Sequence, residues 1–261
     1  MPIDLMAHLQ AESMRFGDVL ADTDPTATVP SCPDWNAADL LWHLAEVQLF
    51  WGTIVRDRLD DPGLAEAAKP ERPSDYGELL ALYRRVSDEL IAALANTADD
   101  VPVWTWFDAD QSAGFIRRRQ AHEALIHRLD AELTAGVPVT DFDPALATDG
   151  VTEVLEWMFS GVPEWGAQTV DGPIGRLATT DTGGQWLVQI GRFSGTSPNT
   201  GNVYTDDPTL SLITDGESSF SISANARDLD AWLWNRPTLS EITVEGDAAA
   251  AFQSIIHSGV Q

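Results

Sequence analysis

The chain has 261 residues, with 15 Lys and Arg against 41 Asp and Glu, a formal net charge of −26. So acidic a surface repels nucleic acid and anionic membranes, which argues against both as partners. With 44% hydrophobic residues and ten Trp the chain can build one large or two moderate domains, and it does not read as a disordered acidic tail.

The N-terminal stretch "MPIDLMAHLQAESMRF" lacks a basic start and a long apolar run, so no signal peptide is expected. Segment 3–21 reads as the first helix. A second follows "VPSCPDW", with Asn36 placed to cap it and Asp39 at its third position. Leu40, Leu44, Val47, Trp51 and Ile54 recur there at helical spacing. The most apolar stretch, "LLWHLAEVQLFWGTIV", is interrupted by His43, Glu46 and Gln48, so no transmembrane helix is expected. Cys32 is the only cysteine, which rules out an internal disulfide and fits a reducing cytoplasm.

Segment 61–73 reads as a Pro-rich loop. The third helix follows Ser74, with Tyr76, Leu79, Leu80, Tyr83, Val86 and Leu90 as its stripe. Segment 97–109, holding "VWTWF", is another loop. The fourth helix runs from about 111 to 135 and stops at Gly136-Val137-Pro138. Four such helices with long connections predict a four-helix bundle over residues 1–142. The loop chemistry of "VPVTDFDPALATDG" places a boundary near 140–150. A smaller α+β domain is expected over 150–261. It should hold a short helix at 151–160 and strands in "GRLATT", "WLVQIG" and "TLSLIT". An Asp215-Gly216 hairpin should lead into "SSFSISA". A helix at 226–235 capped by Asn225, a strand in "EITVEG" and a helix at 247–258 complete it.

The chemistry concentrates on the fourth helix. At about 100° per residue, Ile116, Gln120, Glu123, His127 and Asp130 form one stripe. Ile116, Ile126 and Leu133 require burial, so Glu123 and His127 are carried inward, where polar groups are costly unless satisfied. His43 has the same problem beside Leu40 and Val47 on the second helix. A divalent metal resolves all three costs, and two imidazoles with one carboxylate suit Zn²⁺ with an open fourth position. Asp130 could accept the second ring N–H of a ligand histidine. The competing reading is an exposed Glu-His pair worth a few tenths of a kcal/mol. His122 lies about 100° from Glu123 and is a poorer ligand.

Other residues carry two readings each. Cys32 could be a low-pKa thiol at a helix start or a packing residue. Trp104 and Trp106 could line a cleft mouth or plug the bundle end. Arg117, Arg118 and Arg119 could orient a carboxylated ligand or form ion pairs on a solvated face. His8 and His257 read as surface residues. Neither "DTGG" nor "GRFSGTSPN" has the context of a phosphate loop or a nucleophile elbow.

"VPSCPDWNAADLLWHLAEV" and "VWTWFDADQSAGFIRRRQAHEALIHRLDAE" together resemble the mycothiol-dependent maleylpyruvate isomerase family, whose N-terminal half is a bundle of the DinB superfamily. "ARDLDAWLWNRP" and "VEGD" extend the likeness to the second half. The resemblance implies a zinc ion bound by His43, Glu123 and His127, and a cleft arginine at Arg236 in "LWNR". It also implies mycothiol, a small thiol of actinobacteria, as cosubstrate, deprotonated by the metal. The thiolate would add to an electrophile such as maleylpyruvate for cis–trans isomerisation, or stay attached in a transferase. Two alternatives remain open: a metal-dependent hydrolase or lyase that activates water, and a non-catalytic metal- or ligand-binding protein.

Overall fold

The computed structural model describes residues 3–258 apart from 161, 164 and 199. It divides into two compact units, Met1–Asp141 and Phe142–Gln261.

The first unit is built on four long helices: α1 (Leu5–Ala21), α2 (Ala37–Asp57), α4 (Tyr76–Ala95) and α5 (Ala113–Ala135). A two-stranded ribbon, β1 (Thr28–Val29) and β2 (Cys32–Asn36), joins α1 to α2. Side-chain contacts fix the helix directions. Glu12 pairs with Arg128 and Arg15 with Glu132, so α1 and α5 run parallel. Tyr76 reaches the carbonyl of Leu20 and Tyr83 that of Ser13, so α4 runs against α1. The end of α2 returns to the start of α5, where the Trp104 N–H donates to the Leu59 carbonyl. Two helices therefore run one way and two the other, and the long 58–75 connection joins α2 to the like-directed α4. Phe16, Leu20, Leu40, Leu44, Leu79 and Tyr83 fill the core.

Local signals explain the helix ends. Asn36 accepts from the Asp39 N–H while Asp39 accepts from the Asn36 N–H, a reciprocal capping box. Asp75 caps α4, accepting from the Glu78 N–H. Gly136, at φ 66°, ends α5 in the left-handed conformation that glycine adopts without penalty. The 61–73 segment is not all loop: α3 (Pro62–Ala67) forms there, capped by Asp61, with Pro62 in its first turn and Ala65 buried.

In the second unit, α6 (Pro144–Glu153) begins inside the stretch expected to be a boundary loop. Asp143 caps it and Pro144 opens it, and this Asp-Pro pair is what resembles loop chemistry in the sequence. A π-helical stretch, Val154–Phe159, continues it. Six strands form one sheet: β3 (Gly166–Thr169), β4 (Ile174–Thr179), β5 (Gln185–Thr196), β6 (Val203–Ile213), β7 (Phe220–Ala224) and β8 (Thr243–Glu245). The expected Asp215-Gly216 hairpin does not form. β6 pairs with β5, whereas β7 pairs with β4 in parallel. Several polar residues separate Gly216 from Phe220, too many for a two-residue hairpin turn. α7 (Ala226–Leu233), capped by Asn225, and α8 (Ala249–Ser258) pack Leu229, Phe252 and Ile256 with Leu177, Val188 and Ile222 in this unit's core.

Candidate metal centre

α5 is buried nearly all round, so its polar residues must find partners inside the protein. Three of the sequence-predicted residues meet across the bundle. The Nε2 of His127 lies 3.1 Å from Oε1 of Glu123. The Nε2 of His43, from α2, lies 3.4 Å from the same oxygen. All three ligand atoms fall within 4.8 Å of one another. Donors around a tetrahedral zinc with bonds of about 2.0–2.2 Å stand about 3.3–3.6 Å apart. The two separations from Glu123 lie near that spacing, and the donor set, two imidazoles and one carboxylate, suits a divalent ion.

The surrounding residues fix these donors. Asp130, fully buried, places Oδ2 3.0 Å from Nδ1 of His127, which leaves Nε2 as the atom facing Glu123. Arg119 donates to Oε2 of Glu123 at 2.5 Å, so the other oxygen is the one turned to the histidines. The His43 ring packs on Trp35 with centroids 4.9 Å apart, and edge-on to His127 at 4.8 Å. Burial opposes ionisation of Glu123, but the Arg119 guanidinium and the two imidazoles hold its carboxyl well below the usual range. Burial also pushes the His127 imidazole down, yet hydrogen bonds to Asp130 and Glu123 outweigh it and raise it to about 9. Both shifts arise from the close pairing of carboxylates with imidazoles and the Arg119 guanidinium.

Arg236 lies in the second unit. α7 ends earlier than expected, at Leu233, because Asn235 turns left-handed at φ 59° ahead of Pro237. The Asn235 N–H donates to the Trp232 carbonyl and the Arg236 N–H to that of Ala231, a Schellman closure. The Arg236 guanidinium donates to the Trp234 carbonyl at 2.6 Å, so it also serves the helix end.

Trp104 stacks on Trp51 with centroids 5.8 Å apart and meets Phe50 edge-on, closing the end of α2. Trp106 stays 40% exposed against Phe115. Arg117 pairs with Asp99 and donates to the carbonyls of Leu94 and Thr97, tying α5 to the end of α4. Arg119 is the exception to the solvated-face reading, since it is buried on Glu123. Its spacing of four from Glu123 is visible in sequence, but its burial is not. Ser31, whose hydroxyl donates to Asp130 Oδ1 at 2.5 Å, carries no sequence signal because its partner is 99 residues away. Gln120 shares the ligand stripe and is fully buried, and neither of its amide atoms has a hydrogen-bond partner among the described residues.

Comparison with known proteins places this bundle. The family model for the mycothiol maleylpyruvate isomerase N-terminal domain matches residues 6–132, and that for the MDMPI C-terminal domain matches 145–252. The chain belongs to the mycothiol-dependent maleylpyruvate isomerase family. Two solved structures share its fold: the mycothiol-dependent maleylpyruvate isomerase, with a TM-score of 0.58, and a histidine-to-alanine mutant of it, with 0.59. Each is 13% identical, and each match covers 94% of this chain and 93% of the other. No curated protein matches the sequence. The chain is thus a mycothiol-dependent maleylpyruvate isomerase-like protein, from a family of enzymes that use a small-molecule thiol. Among the described residues no helix is long and apolar enough to cross a membrane.

Proposed function

We propose that this protein is a zinc-dependent, cytoplasmic enzyme that activates mycothiol for isomerisation of, or transfer to, a small electrophile such as maleylpyruvate. The observation that carries the reading is the convergence of His43, Glu123 and His127, from two helices, within 4.8 Å. A zinc ion bound there supplies Lewis-acid chemistry that lowers the pKa of a thiol brought to it. The chain's own residues orient the donors. Asp130 holds His127 by Nδ1, Arg119 holds Glu123 by Oε2, and Trp35 backs His43.

In the isomerase reaction a thiolate adds to the activated cis double bond, forming a C–S bond and an enolate. Rotation about the new single bond and expulsion of the thiolate give the trans product and regenerate the thiol. In a transferase the adduct is protonated and kept. Arg236 is assigned to the carboxylate of an anionic electrophile through a two-pronged contact. Its support is the family resemblance and a backbone fixed by the Schellman closure.

The test is incubation of the protein with zinc, mycothiol and a panel of electrophiles. Trans product at constant thiol identifies an isomerase, and stoichiometric thiol loss a transferase. Turnover without thiol would instead support a metal-dependent hydrolase or lyase. Tight binding without turnover would support a binding protein.

A further inference from the structure

The β1–β2 ribbon touches the candidate metal centre twice, at the candidate ligand His43 and at the support of His127. Val29 pairs with Cys32, so Pro30 and Ser31 form a two-residue turn between the strands. Pro30 sets the backbone at the first turn position, and Val29 is fully buried in the bundle core. The turn is therefore held firmly from below. Its second residue delivers a hydroxyl to Asp130 Oδ1 at 2.5 Å, while Oδ2 of the same carboxylate lies 3.0 Å from His127 Nδ1. At the other end, Trp35 lays its ring against His43 at 4.9 Å. The next residue, Asn36, locks the ribbon into α2 through the capping box. The Ala37 N–H, donating to the Ala27 carbonyl at 2.8 Å, closes the ribbon's open end.

We infer that this ribbon is a positioning clamp for the metal centre, with Ser31 as a positioning residue that sets His127 through Asp130. A carboxylate can rotate about its last bond and present either oxygen, or neither, to the imidazole. A hydroxyl donated to Oδ1 fixes that rotation and directs Oδ2 at Nδ1–H. This holds the ring so that Nε2 faces Glu123 and His43. The Ser31 and His127 hydrogen bonds reach Asp130 from different sides, and both come from fixed backbone elements: the turn and α5. Among the described residues the Ser31 hydroxyl donates to Asp130 and not to a ligand atom, so its effect passes through the aspartate. Partners at this remove typically change metal affinity about 10–100-fold when removed.

The inference rests on His43, Glu123 and His127 holding a metal ion, and the experiment separates the two claims. Zinc affinity is measured by competition with a chromophoric chelator for the wild-type protein, Ser31→Ala and Ser31→Thr, with a thermal melt of each. Ser31→Ala should bind zinc about 10–100-fold more weakly. Ser31→Thr, which keeps the hydroxyl, should restore wild-type affinity. Cobalt-loaded Ser31→Ala should show altered visible absorption relative to cobalt-loaded wild type, because a freed imidazole changes the ligand geometry. In an Asp130→Asn background, Ser31→Ala should have no further effect on affinity. If Ser31→Ala does not fold, Ser31→Gly, suited to a turn, should show the same loss. Unchanged zinc affinity and cobalt spectrum with only a lower melting temperature would reduce Ser31 to a structural tie and overturn the clamp. A wild-type protein that binds no zinc would overturn both the clamp and the metal centre beneath it.

Discussion

Two charged clusters lie along α5, and they are closed in different ways. Near its C-terminal end, Arg128 and Glu132 are fully buried. Arg128 donates to Glu12, Glu132 and the Thr140 carbonyl. Glu132 also accepts from Arg15 and from the Thr140 N–H and hydroxyl. Two cations there face two anions, and protein donors surround the shared carboxylate. In the other cluster His43, Glu123 and His127 turn their donor atoms toward one another, and their supports lie behind them. The first cluster ties α1 to α5 and to the chain beyond. The second has the donor set that we propose holds a zinc ion. The same helix thus carries a closed charge network and the proposed binding cluster, and the direction in which the donor atoms point distinguishes them.

The sharpest way to break this comparison is to remove one member from each cluster. His43→Ala should lose bound zinc and lower thiol-dependent activity by about 10³-fold, equivalent to about 4 kcal/mol of transition-state stabilisation, while the melting temperature moves little. Metal analysis and initial rates check it. Arg128→Ala should do the opposite. Removing one partner from a buried charge pair costs about 3–5 kcal/mol of stability, read by urea unfolding, and the folded fraction should still bind one zinc.

Asp228 offers a test of a closed carboxylate away from the bundle. It is buried and accepts from the Ser240 hydroxyl, the Leu239 and Ser240 N–H groups, Asn225 and Arg227. Burial alone would raise its pKa, but these donors lower it from 3.8 to about 2. A pKa depressed by folding means the ionised form favours the folded state. Its contribution is complete above about pH 4 and is lost as the pH falls toward 2. A melting-temperature profile should therefore fall across that window, and Asp228→Asn should flatten it while lowering stability at neutral pH.

The smallest effect sharpens the picture of the binding cluster. Gln120 sits on the ligand stripe with an unpaired buried amide, which is a cost to folding. Gln120→Met should leave stability unchanged or raise it by about 1 kcal/mol in urea unfolding. A loss of several kcal/mol would mean that the amide is bonded inside the bundle.

The convergence of His43, Glu123 and His127 was legible because helix periodicity carries all three toward the inside of the bundle, where polar groups require an explanation. Asn36 and Gly136 marked their helix ends for equally local reasons. Ser31 was not legible, because its meaning depends on Asp130, a partner that only the folded chain brings near. For Arg119 the sequence leaves two readings open, a cation that orients a carboxylated ligand and an ion pair on a solvated face, because a spacing of four from Glu123 says who meets whom but not how deep the pair lies. The Asp215-Gly216 turn was misread because a hairpin needs flanking strands that pair, and β7 instead joins β4. Asp143-Pro144 was taken for a linker because a helix start and a loop draw on the same residues.

The central claim is that His43, Glu123 and His127 hold one zinc ion to which mycothiol brings its sulfur. X-ray absorption at the zinc edge, on protein loaded with one equivalent of zinc before and after addition of mycothiol, tests it most directly. The account predicts nitrogen and oxygen neighbours at about 2.0–2.2 Å, joined after thiol addition by one sulfur at about 2.3 Å. The sulfur should appear in wild-type protein and be absent in His43→Ala. A zinc shell that gains no sulfur while thiol-dependent turnover proceeds would contradict it.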